Sequence, residues 1–241
     1  MKKHKPKPRS RSKVRESFPT VALSGVEYSK KELEAISLPE PIKPLEFVKE
    51  LRIPVKGNIK SGFDMDLTPY LKLPIKCIGN FSVETIIVIA PTQSGKTVIP
   101  QIAVAYAADQ DPGPLLYIYP DEITAKKSLQ EKIIDMILET PRLRARVKSI
   151  RKISKLGVNL DSMTIFPAWA NSPLSINAFP KKYVIWDEVR LMKLIVGRES
   201  NAIKLGEDRL TTYRSMGIAQ GIMVSSPSVE GDLLHQQLDI P

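Results

Sequence analysis

An apolar run, Ile86-Ile87-Val88-Ile89-Ala90, leads directly into Pro91-Thr92-Gln93-Ser94-Gly95-Lys96-Thr97. No other stretch limits the fold as tightly. β-branched residues in series read as a buried strand. The glycine, lysine and threonine that follow read as a phosphate-binding turn opening a helix. In such a turn, backbone N–H groups and the helix N-terminus face an anion. Gly95 lets the backbone approach the phosphates, Lys96 reaches the β- and γ-phosphates, and the Thr97 hydroxyl binds Mg²⁺. Ala90 stands where the consensus has its first glycine. The helical apolar pattern of Val98, Ile99, Ile102, Ala103 and Ala105 then places the tripeptide in the context it requires.

A second signature lies about 90 residues on. Tyr183-Val184-Ile185-Trp186 runs straight into Asp187 and Glu188, so two carboxylates sit at the carboxyl end of a buried strand. In open α/β sheets that edge binds ligands. Asp187 is expected to hold the metal, and Glu188 to orient and deprotonate the attacking water. A third strand, Gly221-Ile222-Met223-Val224, ends in Ser225-Ser226-Pro227. On a parallel sheet it brings Ser225 and Ser226 beside the acids as sensors of the γ-phosphate. Arg209 and Arg214 are expected near the same edge, as candidate arginine fingers. Tyr70 is a candidate contact for the adenine.

Between these signatures the chain alternates strand and helix. Leu115 to Tyr119 reads as a strand, and Pro120-Asp121-Glu122 opens a long helix through about Leu138, as acids and proline favour a helix start. Met163 to Pro167 reads as another strand. The expected architecture is α/β, a mostly parallel sheet with helices on both faces. Three parts follow from composition: a disordered basic arm over 1–16, a proline-rich segment over 17–80 packing on the core, and a nucleotide-binding domain over 81–241. Residues 142–160 are strongly basic and are expected to form an exposed strand or loop.

Charge and rare residues narrow the chemistry. Lys+Arg 36 against Asp+Glu 26 gives a net charge of +10, which favours a polyanionic partner such as DNA. Cys77 is the only cysteine, and His4 and His235 are the only histidines. A disulfide within the chain and a Cys- or His-built metal site are thereby excluded or disfavoured. No apolar run approaches the roughly 20 residues of a membrane span.

With these pieces placed, residues 60–235 resemble the ATPase half of the large terminase subunit of tailed bacteriophages, most like the lambda-type family. The likeness rests on Thr68-Pro69-Tyr70, the loop from Pro91 to Thr97 with Gln93 two residues before Gly95, and Tyr119-Pro120 before a long helix ending in Thr140-Pro141-Arg142-Leu143. Tyr183 to Val189 and Ser225-Ser226-Pro227 complete it. The resemblance implies a RecA/ASCE-like P-loop NTPase that uses ATP and Mg²⁺ to drive double-stranded DNA into a prohead. It implies as partners the portal protein, the small terminase subunit and further copies of the chain in a ring, in the host cytoplasm. Such subunits usually carry a second, nuclease domain. This chain stops just past the Ser-Ser-Pro motif, so no cutting is expected of it.

Two other readings use the same signatures. A superfamily 2 helicase shares them in order, yet no glutamine precedes Gln93, and no second RecA-like domain is expected to follow. A nucleotide-binding adaptor without turnover would have no need of Glu188.

Overall fold

A computed structural model describes residues 42–55, 58–61, 63–150, 153–177, 179–193 and 201–228, with 235 and 237. The basic arm over 1–16 lies outside the described residues. The described residues belong to one unit, Pro39–Pro241.

The chain enters through a short helix α1 (Pro44–Phe47), extended by a 3-10 turn Val48–Glu50, and a hairpin β1 (Arg52–Val55) and β2 (Asn58–Ser61). A 3-10 turn Pro69–Leu71 leads into α2 (Lys72–Cys77). The central sheet then forms from β3 (Thr85–Ile89), β4 (Leu115–Tyr119), β5 (Ile153–Ser154), β6 (Gly157–Asn159), β7 (Thr164–Trp169), β8 (Tyr183–Asp187) and β9 (Gln220–Ser225). Its order is β3-β9-β8-β4-β7-β6-β5. In the order from β3 to β7 all neighbours run parallel, and at the far edge β6 pairs antiparallel with both β7 and β5.

Side-chain alternation explains why apolar residues fill these strands almost without interruption. On β4, Leu115, Tyr117 and Tyr119 face one core, and Leu116 and Ile118 face the other. On β8, Tyr183 and Ile185 face the first, and Val184 and Trp186 the second. A strand covered on both faces must be apolar at both parities. The first face is covered by α1, α2, α3 (Val98–Gln110), α4 (Glu122–Ser128) and α5 (Asp135–Glu139). The second face is covered by α7 (Pro173–Ile176) and α8 (Ala202–Ser215). α6 (Pro141–Arg144) closes the long helical run after Thr140.

Local sequence sets the helix ends. Asp121 caps α4 by accepting from Thr124 N at 2.9 Å, and those bonds hold its carboxyl below the usual range. Asn201 caps α8 through Lys204 N at 2.9 Å, in keeping with the preference of Asp and Asn for this position. The helix expected from Pro120 to Leu138 is interrupted by a π-helical segment, Leu129–Ile134, between α4 and α5. Hydrogen-bond register of this kind leaves no mark on apolar periodicity, so the sequence pattern runs through it.

Part of the basic run after Pro141 builds structure. Asp109, buried at the end of α3, is bound by the guanidinium groups of Arg142 and Arg146. Residues 44–80 likewise enter the core, with Phe47, Val48, Leu51, Leu71 and Ile75 all essentially buried. Gln220 fastens them to β9. Its Nε2 donates to the carbonyls of Cys77, Asn80 and Val83, and its Oε1 accepts from Gly79 N at 3.0 Å.

α8 packs closely enough to fix one residue type. A Cβ on Gly206 would lie 2.5 Å from Trp186 Cζ2. Trp186 is fully buried and held by a bond from its Nε1 to Ala202 O at 3.1 Å, so it cannot yield. Alanine gains about 1 kcal/mol of helix propensity over glycine, against an overpacking cost of about 1–3 kcal/mol. Gly206→Ala is therefore expected to lower the urea midpoint. A midpoint at or above wild type would show that Trp186 repacks freely.

Candidate nucleotide site

The three signatures converge on the carboxyl edge of the sheet. The phosphate loop leaves β3 at Ala90 and enters α3 at Val98. Two of its residues take positive φ, Gln93 (62°) and Gly95 (79°), which wraps the loop around a concave centre. Glycine adopts this conformation without strain. Lys96 is folded inward at 4% exposure, its Nζ 3.4 Å from Pro91 O. Thr97 occupies the position just ahead of α3. Pro91, Thr92 and Gln93 are exposed, and Ser94 is half-buried.

β9 lies between the phosphate-loop strand and the acid-bearing strand. Ile89 is in register with Ser225, and Asp187 with Val224. Ser225 O accepts from Ala90 N at 3.1 Å, and its Oγ accepts from Arg190 N at 3.1 Å. One serine thus touches both flanking loops. Ser226 is buried, and its Oγ has no hydrogen-bond partner among the described residues; the same holds for Ser94 Oγ.

The acids follow at once. Glu188 leaves the strand in a left-handed conformation (φ 56°, ψ 53°), with its N–H bonded to Val224 O at 2.8 Å. A non-glycine residue held there costs of order 1–3 kcal/mol and is a mark of functional sites. The turn aims its carboxylate back over the loop: Glu188 Oε1 is 3.6 Å from Lys96 Nζ. Its other oxygen meets Arg190 Nε at 3.3 Å. Asp187 is buried at 3% exposure. Burial raises its carboxyl above the usual range, with the Lys132 ammonium opposing and the Glu188 charge adding.

Not every candidate joins this group. Tyr70 is half-exposed, and its hydroxyl donates to Ser94 O at 2.6 Å, so it abuts the phosphate loop. Arg209 and Arg214 lie at the opposite edge, contrary to the expectation. α8 is the crossover that returns from the carboxyl end of β8 to the amino end of β9, so its later turns sit at the amino edge. Arg209 O accepts from Lys181 N, just before β8, and Arg214 pairs with Glu84, just before β3, and with Glu207. The five residues of β8 span roughly 16 Å, farther than an arginine reaches. Neither residue is brought to the phosphate loop of this chain.

Sequence reasoning missed three residues at the edge: Arg190, Lys132 and Tyr117. Tyr117 Oη donates to Asp187 Oδ2 at 3.2 Å, and Lys132 Nζ stands 3.7 Å from the same oxygen. Strand parity carried a signal for Tyr117, since it shares a face with Tyr119 on β4. Lys132 carried one as a lone cation on the apolar stripe of Leu129, Ile133 and Met136.

The donor set suits one kind of metal. Among the described residues, no three His, Cys, Asp or Glu gather into a cage. Asp187 and the Thr97 hydroxyl are few oxygens, and Mg²⁺ commonly takes one or two carboxylates together with waters and substrate phosphates.

Strand order, loop and acid pair together define a P-loop NTPase in which an additional strand separates the phosphate loop from the acids. The family model for the ATPase domain of the phage terminase large subunit gpA matches residues 57–237, and the chain belongs to that family. Among solved structures, the large terminase of bacteriophage HK97 aligns with a TM-score of 0.63 at 15% identity, over 82% of this chain and 40% of that one. The chain thus spans about two fifths of the HK97 protein's length. The ATPase domain of the Thermus phage P74-26 large terminase aligns over 68% of each chain at 14% identity, with a TM-score of 0.47. A search of curated protein sequences returned no match.

Proposed function

We propose that this chain hydrolyses Mg·ATP and uses the energy to move double-stranded viral DNA into a prohead. The observation that carries the reading is the 3.6 Å approach of Lys96 to Glu188, which joins the phosphate loop and the acid pair in one site.

In this reading the loop from Pro91 to Thr97 wraps the phosphates, with Lys96 on the β- and γ-oxygens. Thr97 and Asp187 hold Mg²⁺, which supplies charge neutralisation at the phosphates when bound. Glu188 takes the proton of the attacking water, with Lys96 and Arg190 fixing its carboxylate. Ser225 and Ser226 sense the γ-phosphate, since the strand that carries them is bonded to both loops. Tyr70 would meet the base, with its hydroxyl bonded to the loop at Ser94 O. The portal, the small subunit and a ring of further copies are the partners in the host cytoplasm. Arg209 and Arg214, away from this edge, would act as fingers in a neighbour's site. The basic arm over 1–16 would hold DNA phosphates without sequence preference.

Phosphate release measured with Mg²⁺, with and without duplex DNA and empty proheads, tests this. Turnover that needs Mg²⁺ and rises with DNA and proheads, without strand separation, is expected. Strand separation would favour the helicase, and nucleotide binding without turnover the adaptor.

A further inference from the structure

The hydrogen bonds and ion pairs that described residues make to the Asp187 carboxylate fall on one oxygen. Oδ2 takes the Tyr117 hydroxyl at 3.2 Å and faces the Lys132 ammonium at 3.7 Å. Both groups are held from behind. The Tyr117 ring is fully buried and stacks on Tyr119 at 4.3 Å between centroids, 7° from parallel. Lys132 sits within the π-helical segment Leu129–Ile134. Such segments shift a backbone out of α register and recur at functional sites. Here the Lys132 carbonyl accepts from Gln101 Nε2 at 3.1 Å. Gln101 is buried on α3, the helix that begins at the phosphate loop. Lys132 is thus anchored at its backbone to the phosphate-loop helix and at its ammonium to Asp187.

We infer that Tyr117 and Lys132 are positioning residues that commit Oδ2 of Asp187 and turn its other oxygen toward Mg²⁺ arriving with the nucleotide. The inference rests on the role given to Asp187 above. Partners behind a metal-binding carboxylate fix its orientation, and removing them typically costs 10–100-fold in metal affinity or activity. A purely structural role predicts something else. Lys132 would then only neutralise a buried carboxylate, and its loss would lower the melting temperature without altering metal dependence.

The test uses the whole chain, mant-ADP as the fluorescent probe, and Mg²⁺ titrated at fixed nucleotide. Tyr117→Phe removes one hydroxyl and keeps the ring. Lys132→Met removes the ammonium and keeps the chain length. In each, the Mg²⁺ concentration giving half-maximal mant-ADP binding is expected to rise about 10–100-fold, with binding recovered at saturating Mg²⁺. Should Lys132→Met fail to fold, Tyr117→Phe alone decides. Wild-type Mg²⁺ dependence in Tyr117→Phe overturns the positioning role and leaves the nucleotide site intact. A wild-type protein that binds mant-ADP without regard to Mg²⁺ overturns both.

Discussion

Glu188→Gln yields a protein that binds ATP and does not turn it over, with kcat lower by about 10²–10⁴, the range a general base contributes. The substitution preserves shape. Glutamine keeps the side-chain length, and its one carbonyl oxygen can still accept from Lys96 or from Arg190, 3.6 and 3.3 Å from the present carboxylate. The left-handed backbone at 188 is no harder for glutamine than for glutamate, so the fold should survive. What is lost is the capacity to accept a proton from water. Stopped-flow binding of a fluorescent ATP analogue beside steady-state phosphate release separates the two steps. Turnover within a few-fold of wild type would remove Glu188 from the chemistry.

Lys96→Ala is expected to fail at both steps. The Lys96 ammonium is the innermost cation of the loop, nearly buried between Pro91 O and Glu188. Its removal takes away the charge that faces the β- and γ-phosphates and leaves Glu188 aimed at the same space. Losing one well-placed electrostatic contact costs about 10²–10³ in kcat. Here the ground state is weakened as well, because the phosphates bind to the same group. Phosphate release should fall below detection while circular dichroism stays native. Retained turnover would mean that the phosphates lie elsewhere.

Much of this site was legible because its strands are buried on both faces. Leu115 to Tyr119 was read at its observed limits, and the strands before Ala90, Asp187 and Ser225 were found within a few residues. The chemistry at their carboxyl ends followed from strand direction alone. What escaped depends on things a one-dimensional pattern omits. The π-helical segment around Lys132 is a change of hydrogen-bond register, which apolar spacing does not record. The helix Ala202–Ser215 went unplaced, and without its direction Arg209 and Arg214 fell on the wrong edge. Arg142 and Arg146 counted toward a basic surface, although both are bound to one buried aspartate, Asp109. Charge composition records how many cations a chain has, and not which of them already have an anion inside the fold.

The Gln220 side chain bears on how this protein can be shortened. A polypeptide beginning at residue 81 would keep every motif, yet it would strip that amide of Gly79, Cys77 and Asn80 in a site with no exposure. It would also open the core where Phe47, Leu51 and Ile75 now sit. The smallest piece able to fold must start ahead of Pro44, well upstream of anything the motifs would suggest.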